Sequence, residues 1–111
     1  MTLDDLRVYG ADVDLGLSRC MGSEELYLML VGTIPGEEKF AMLETSIAEG
    51  NLDTAFEAAH ALKGILANLA LTPLHEPVYQ ITEFLRARTR MDYSSLLAEI
   101  FSARDRLSAL L

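Results

Sequence analysis

His60, Lys63 and Gly64 stand together in one stretch, Ala59-His60-Ala61-Leu62-Lys63-Gly64-Ile65-Leu66-Ala67-Asn68-Leu69, whose apolar spacing is helical. At 100° per residue, Ala55, Ala58, Leu62, Ile65 and Leu69 fall in one narrow sector. His60, Gly64 and Ala67 fall close to the opposite side, with Lys63 beside them. A helix that buries its leucines therefore turns His60 to water. Neutral imidazole is a good nitrogen nucleophile near neutral pH, and it can also leave. Lys63, one turn on, places a cation beside it. Glycine costs about 1 kcal/mol relative to alanine in a helix interior, so Gly64 needs a reason. Close approach by another molecule next to His60 is one. Ala61, Ala67 and Leu71 make a low-relief apolar surface around the histidine, suited to docking.

The segment resembles the histidine-containing phosphotransfer (HPt) domain, whose core pattern His-x-x-Lys-Gly reads here as His60-Ala61-Leu62-Lys63-Gly64. Ala59 before the histidine and Ala67-Asn68-Leu69-Ala70 after it extend the likeness, as does the helical layout on either side. Ile65, Leu66 and Ala70 depart from the family's habit of small residues or glycine at those positions. The resemblance implies a phosphohistidine carrier that relays phosphoryl groups between receiver-domain aspartates. His60 would take the phosphoryl group, Lys63 would stabilise its charge, and Gly64 would admit the partner. Glu57, Ala61, Ala67, Asn68, Leu71 and Thr82 would form the docking surface. Thr82 stands where the family often has Gln or Glu bonded to the phosphorylated imidazole. The implied partners are receiver domains of response regulators or hybrid histidine kinases. No cofactor of its own is implied, because the partner receiver would hold the magnesium ion, and the chain would not be an enzyme. A helical adaptor that binds a receiver or another partner without carrying phosphate is the alternative.

Composition fits this reading. The 111 residues, half of them apolar, suffice for one domain with a real core. A formal charge of −8 argues against a nucleic-acid footprint, which needs a basic face. The one basic cluster, Arg86, Arg88 and Arg90, lies where a helix should end and suits its C-terminal dipole. No run reaches the roughly 18 apolar residues a membrane span needs. The acidic start, Met1-Thr2-Leu3-Asp4-Asp5, is unlike a signal peptide. The lone Cys20 reads as a small buried residue and makes no internal disulfide, which agrees with a cytoplasmic protein, and a monomer is expected. No glycine loop of the ATP-binding kind is present. His75 reads as structural or surface, and no metal-ligand spacing involves either histidine.

The elements that must position the histidine are all helical. Two short helices are expected over Leu3–Tyr9 and Asp12–Arg19. A third is capped by Ser23, with Tyr27 to Val31 apolar on every side and buried. Thr33-Ile34-Pro35-Gly36 interrupts the pattern. A fourth helix carries Phe40, Leu43 and Ile47 and stops at Gly50. Asn51 caps the His60 helix, which runs to about Leu71. Thr72 caps the next, with Pro73 at its first position and Val78, Ile81 and Leu85 inward. Asp92 caps the last, with Leu97, Ile100, Phe101, Leu107 and Leu111 at core spacing. The expected fold is all-α: an antiparallel four-helix bundle with short additional N-terminal helices, one domain over residues 1–111.

Overall fold

A computed structural model describes residues 1–111 and is all-helical. Its helices are α1 (Leu3–Tyr9), α2 (Val13–Arg19), α3 (Glu24–Gly32), α4 (Glu38–Ala48), α5 (Leu52–Asn68), α6 (Thr72–Arg86) and α7 (Ser94–Ser108). A 3-10 turn, Ile34–Gly36, separates α3 from α4, so the Pro35 interruption ends one helix and starts another. The cap chemistry explains most starts. Asp12, Ser23 and Asn51 each accept the backbone N–H three residues on, satisfying a donor the helix cannot. Thr2 and Asp5 form a reciprocal capping box on α1. No helix is long and apolar enough to cross a membrane.

Burial follows the apolar stripes. Phe40 and Leu43 of α4, Ala55, Ala58, Ala59, Leu62 and Leu66 of α5, Leu74, Val78, Ile81 and Leu85 of α6, and Ile100 and Leu107 of α7 join one core. Helix α5 packs against both α4 and α6, and α6 also packs against α7. Three buried alanines let the neighbours come close to the α5 backbone. Some expected core positions are not core. Met29 is 60% exposed, so α3 has one wet side, and Leu111, also 60% exposed, lies beyond the end of α7.

Helices α2 and α3 are fastened to the C-terminal end of α5, and α1 to α7 through the Tyr9 hydroxyl, which donates to the Ala103 carbonyl at 2.8 Å. The Tyr27 hydroxyl donates to the Leu69 carbonyl at 2.9 Å, and the Asp12 N–H donates to the Ala70 carbonyl at 3.0 Å. The Arg19 guanidinium donates to the Ala67 carbonyl. Burial pushes the Tyr27 phenol up to about 12, so it stays a proton donor. The bonds at the end of α5 occupy carbonyls that a helix end leaves open.

Three boundaries differ from the sequence reading. Helix α5 ends at Asn68, short of Leu71, because Ala70 turns into the left-handed region (φ 55°) and breaks the ladder. Leu71 is then the N-cap of α6, which puts Thr72 first and Pro73 second in that helix. At α7 the N-cap is Tyr93, although the Asp92 carboxylate still accepts the Ser94 N–H at 2.9 Å.

Gly16 marks the tightest joint among the N-terminal helices. A Cβ there would lie 2.7 Å from Cζ and 2.8 Å from the hydroxyl oxygen of Tyr27. Gly16→Ala should therefore destabilise the chain by about 1–3 kcal/mol through overpacking, despite alanine's better helix propensity. Urea unfolding of the two proteins checks this, and a stabilised Gly16→Ala protein would contradict the joint.

Candidate functional site

His60 lies in the middle of α5 and is exposed, while its predecessors Ala58 and Ala59 are buried. One face of α5 is thus taken by α4 and α6, and the histidine is carried on what remains. Phe56, one turn earlier, stacks on it: the ring centroids are 5.5 Å apart and the planes 18° from parallel. Gly64, one turn later, is exposed, and no neighbouring atom lies within 4 Å of where its Cβ would be. No packing inside the chain accounts for this glycine. Lys63 is half-buried and reaches towards α6, with Nζ 5.7 Å from the Tyr79 ring centroid. Glu57 and Asn68 are exposed, and Ala61 and Ala67 are half-buried. The bulky Ile65 is half-buried and Leu66 fully buried, so neither stands in front of His60.

Two expected surface residues are not on the surface. Thr82 is fully buried, and its hydroxyl donates to the Val78 carbonyl at 2.6 Å. A side chain occupied inside its own helix cannot reach a group on the His60 imidazole. Leu71 is also fully buried, because the chain turns at Ala70 and carries it into the core. Of the residues the resemblance places on the docking surface, Glu57, Ala61, Ala67 and Asn68 share one side of α5 with His60, Lys63 and Gly64.

The sequence reading left other neighbours unassigned to the site. Tyr79, 49% exposed, is the α6 residue beside Lys63. Finding it required the register between α5 and α6, which helical periodicity alone does not fix. Phe56 could have been found, since a four-residue spacing on a helix brings side chains together. His75 is half-buried with its ring centroid 6.1 Å from that of Tyr79. Burial holds its pKa below the ordinary imidazole value; Glu76 opposes this shift and Lys63 adds to it. At the end of α6, Arg88 donates to the Leu85 carbonyl and to the Asp53 carboxylate, both at 2.6 Å. Of the three arginines, Arg88 therefore serves the helix C-terminus and ties that end to the first turn of α5, while Arg86 pairs with Glu83 at 3.4 Å.

Comparison with known proteins gives one finding. A family model described as Hpt domain matches residues 36–111, which run from the end of the 3-10 turn through α4 to α7. No curated protein and no solved structure matched.

The open space at Gly64 predicts that Gly64→Ala raises stability by about 1 kcal/mol, the difference in helix propensity. Thermal unfolding checks it, and a loss of stability would mean that the glycine serves packing. His75 should titrate below the ordinary imidazole value of about 6.5. Because the folded-state pKa is lowered, the unfolded chain binds the proton first as pH falls through that value. Stability from this group is then undiminished above it and declines below it, and His75→Gln should remove that part of the decline. An NMR titration of the His75 ring with its midpoint at or above the ordinary value would contradict the assignment.

Proposed function

The chain belongs to the Hpt domain family, whose members are phosphocarriers in two-component signalling, and from that we propose that His60 is the residue that carries the phosphoryl group here. The observation that carries the reading is the pairing of an exposed His60 with an exposed, unpacked Gly64 one turn away. A helix interior gains nothing from that glycine, whereas a partner's loop approaching the imidazole does. We read α4 to α7 as an antiparallel four-helix bundle, with α1 to α3 laid against it as part of the same domain. The consecutive packing of α4, α5, α6 and α7 and their short connections support this.

The step is an exchange between two leaving groups. The unprotonated ring nitrogen of His60 attacks the phosphorus of an aspartyl phosphate on a receiver domain. The N–P bond forms as the acyl-phosphate O–P bond breaks, and the aspartate leaves as its carboxylate. The cationic phosphoimidazole can then release its remaining N–H proton to water. In the second transfer the ring takes a proton back from water, a second receiver's aspartate forms an acyl-phosphate O–P bond, and the N–P bond breaks to return neutral imidazole. Lys63 supplies positive charge near the transferring oxygens, and its contact with the Tyr79 ring restrains its long side chain. The receiver brings the magnesium ion. Glu57, Ala61, Ala67 and Asn68 give that receiver a shallow surface on which to dock and from which to leave.

Radiolabelled phosphate supplied on a phosphorylated receiver domain tests this. The label should move to the chain and be acid-labile, as a phosphoramidate bond is. His60→Gln should abolish it while shifting stability by no more than about 0.5 kcal/mol, as exposed substitutions usually do. His75→Gln should leave labelling intact. Binding of the receiver without any labelling of His60 would overturn the carrier reading in favour of an adaptor.

A further inference from the structure

The side chains around Phe56 form an array that the carrier reading has not used. The His60 ring stacks on Phe56, and the guanidinium carbons of Arg86 and Arg88 each lie 5.0 Å from the same Phe56 ring centroid. Arg88 is itself fixed at both ends, by the Asp53 carboxylate of α5 and by the Leu85 carbonyl of α6. Phe56 is half-buried and joins the margin of the core. The ring under His60 is thus held by two cations from the end of α6, one of them anchored to both helices.

We propose that Phe56 is a positioning residue for His60: its ring, clamped by Arg86 and Arg88, fixes the orientation of the imidazole. The inference rests on His60 being the phosphate carrier. The physical argument concerns entropy. An exposed histidine samples several rotamers, and only those presenting a ring nitrogen to an incoming phosphorus are productive. A near-parallel stack on a fixed ring removes some of this freedom before the partner arrives. Two arginines over the Phe56 ring hold it by attraction to its π face, which a flexible aliphatic side chain could not offer. Lys63 leans towards Tyr79 on α6, so the imidazole and the ammonium are each restrained by an aromatic ring.

Substitution at Phe56 separates positioning from packing. Phe56→Leu keeps an apolar side chain and removes the ring; Phe56→Tyr keeps the ring. The NMR signals of the His60 ring report its surroundings directly, and they should move in Phe56→Leu as the Phe56 ring current is lost. In Phe56→Tyr they should stay close to the parent. Labelling by phosphoramidate uses no partner: the imidazole nitrogen attacks phosphorus, the donor's N–P bond breaks, and ammonia leaves with its proton. Followed at His60, that labelling should slow about two- to tenfold in Phe56→Leu, the range expected for loss of an aromatic pair, and by less than about twofold in Phe56→Tyr. If Phe56→Leu does not fold, the double variant Arg86→Gln, Arg88→Gln takes its place, and it should move the His60 ring signals with Phe56 still present. A folded Phe56→Leu protein with unmoved ring signals and an unchanged rate would overturn the proposal. Unmoved signals in the double variant would do the same. A parent protein that takes no phosphate on His60 from a receiver or from phosphoramidate would instead overturn the carrier reading, and the ring signals would still decide whether Phe56 orients the imidazole.

Discussion

The close packing of α5 between α4 and α6 is the constraint from which the site follows. Ala55, Ala58 and Ala59 are buried beneath those neighbours, and Leu62 and Leu66 continue the contact for two more turns. A helix engaged on that much of its circumference keeps only a narrow strip for solvent. His60, Gly64 and Asn68 lie along that strip at four-residue intervals, the spacing that keeps side chains in register on a helix. The strip belongs to a rigid element, so the histidine backbone is fixed by the core. What the surface adds is control of the side chain.

Charge on this face is local. The chain is strongly acidic overall, yet Lys63, Arg86 and Arg88 rest on the rings beside the α5 face, the two arginines each also paired with a carboxylate, Glu83 and Asp53. Each cation rests against an aromatic ring, Tyr79 or Phe56, which limits how far it can stray. The two faces of the site differ in origin. Lys63 is presented by the histidine's own helix, while the arginines come from the end of α6 and depend on α5 and α6 keeping their alignment. The Arg88 link to Asp53 holds that alignment at the N-terminal end of α5. At the other end, Tyr27 and Asp12 fasten the turn that leaves α5.

Much of this was legible in the residues. The sector in which Ala55, Ala58 and Leu62 cluster is the buried one, and His60 and Gly64 fall opposite, as 3.6-residue periodicity requires. Caps at Ser23 and Asn51 were legible because their chemistry is local. The failures have two causes. Continuing the helix through Ala70 puts Leu71 on the docking face, but Ala70 turns left-handed in a segment held by Asp12 and Tyr27, a tertiary feature that periodicity does not carry. The resemblance puts Thr82 at a position where the family often carries a long polar side chain. A threonine there is short enough to bond its own helix backbone and be buried. Tyr79 was out of reach because its role depends on how far α6 is slid along α5.

The fastening of α2 and α3 onto the end of α5 has an evolutionary consequence. On the α5 side every acceptor is a main-chain carbonyl, of Ala67, Leu69 or Ala70. Replacing any of those side chains leaves the oxygen in place, so the donors on Arg19, Tyr27 and Asp12 need no compensating change. The Asp12 donor is main chain as well. Those three bonds therefore tolerate side-chain change on the α5 side, while the apolar side chains of Leu6, Val13, Tyr27 and Val31 still bind the two parts into one core. The family model's match begins only after α3. An N-terminal segment held in this way must therefore offer two things at once, donors at the right places and apolar side chains that fit the shared core.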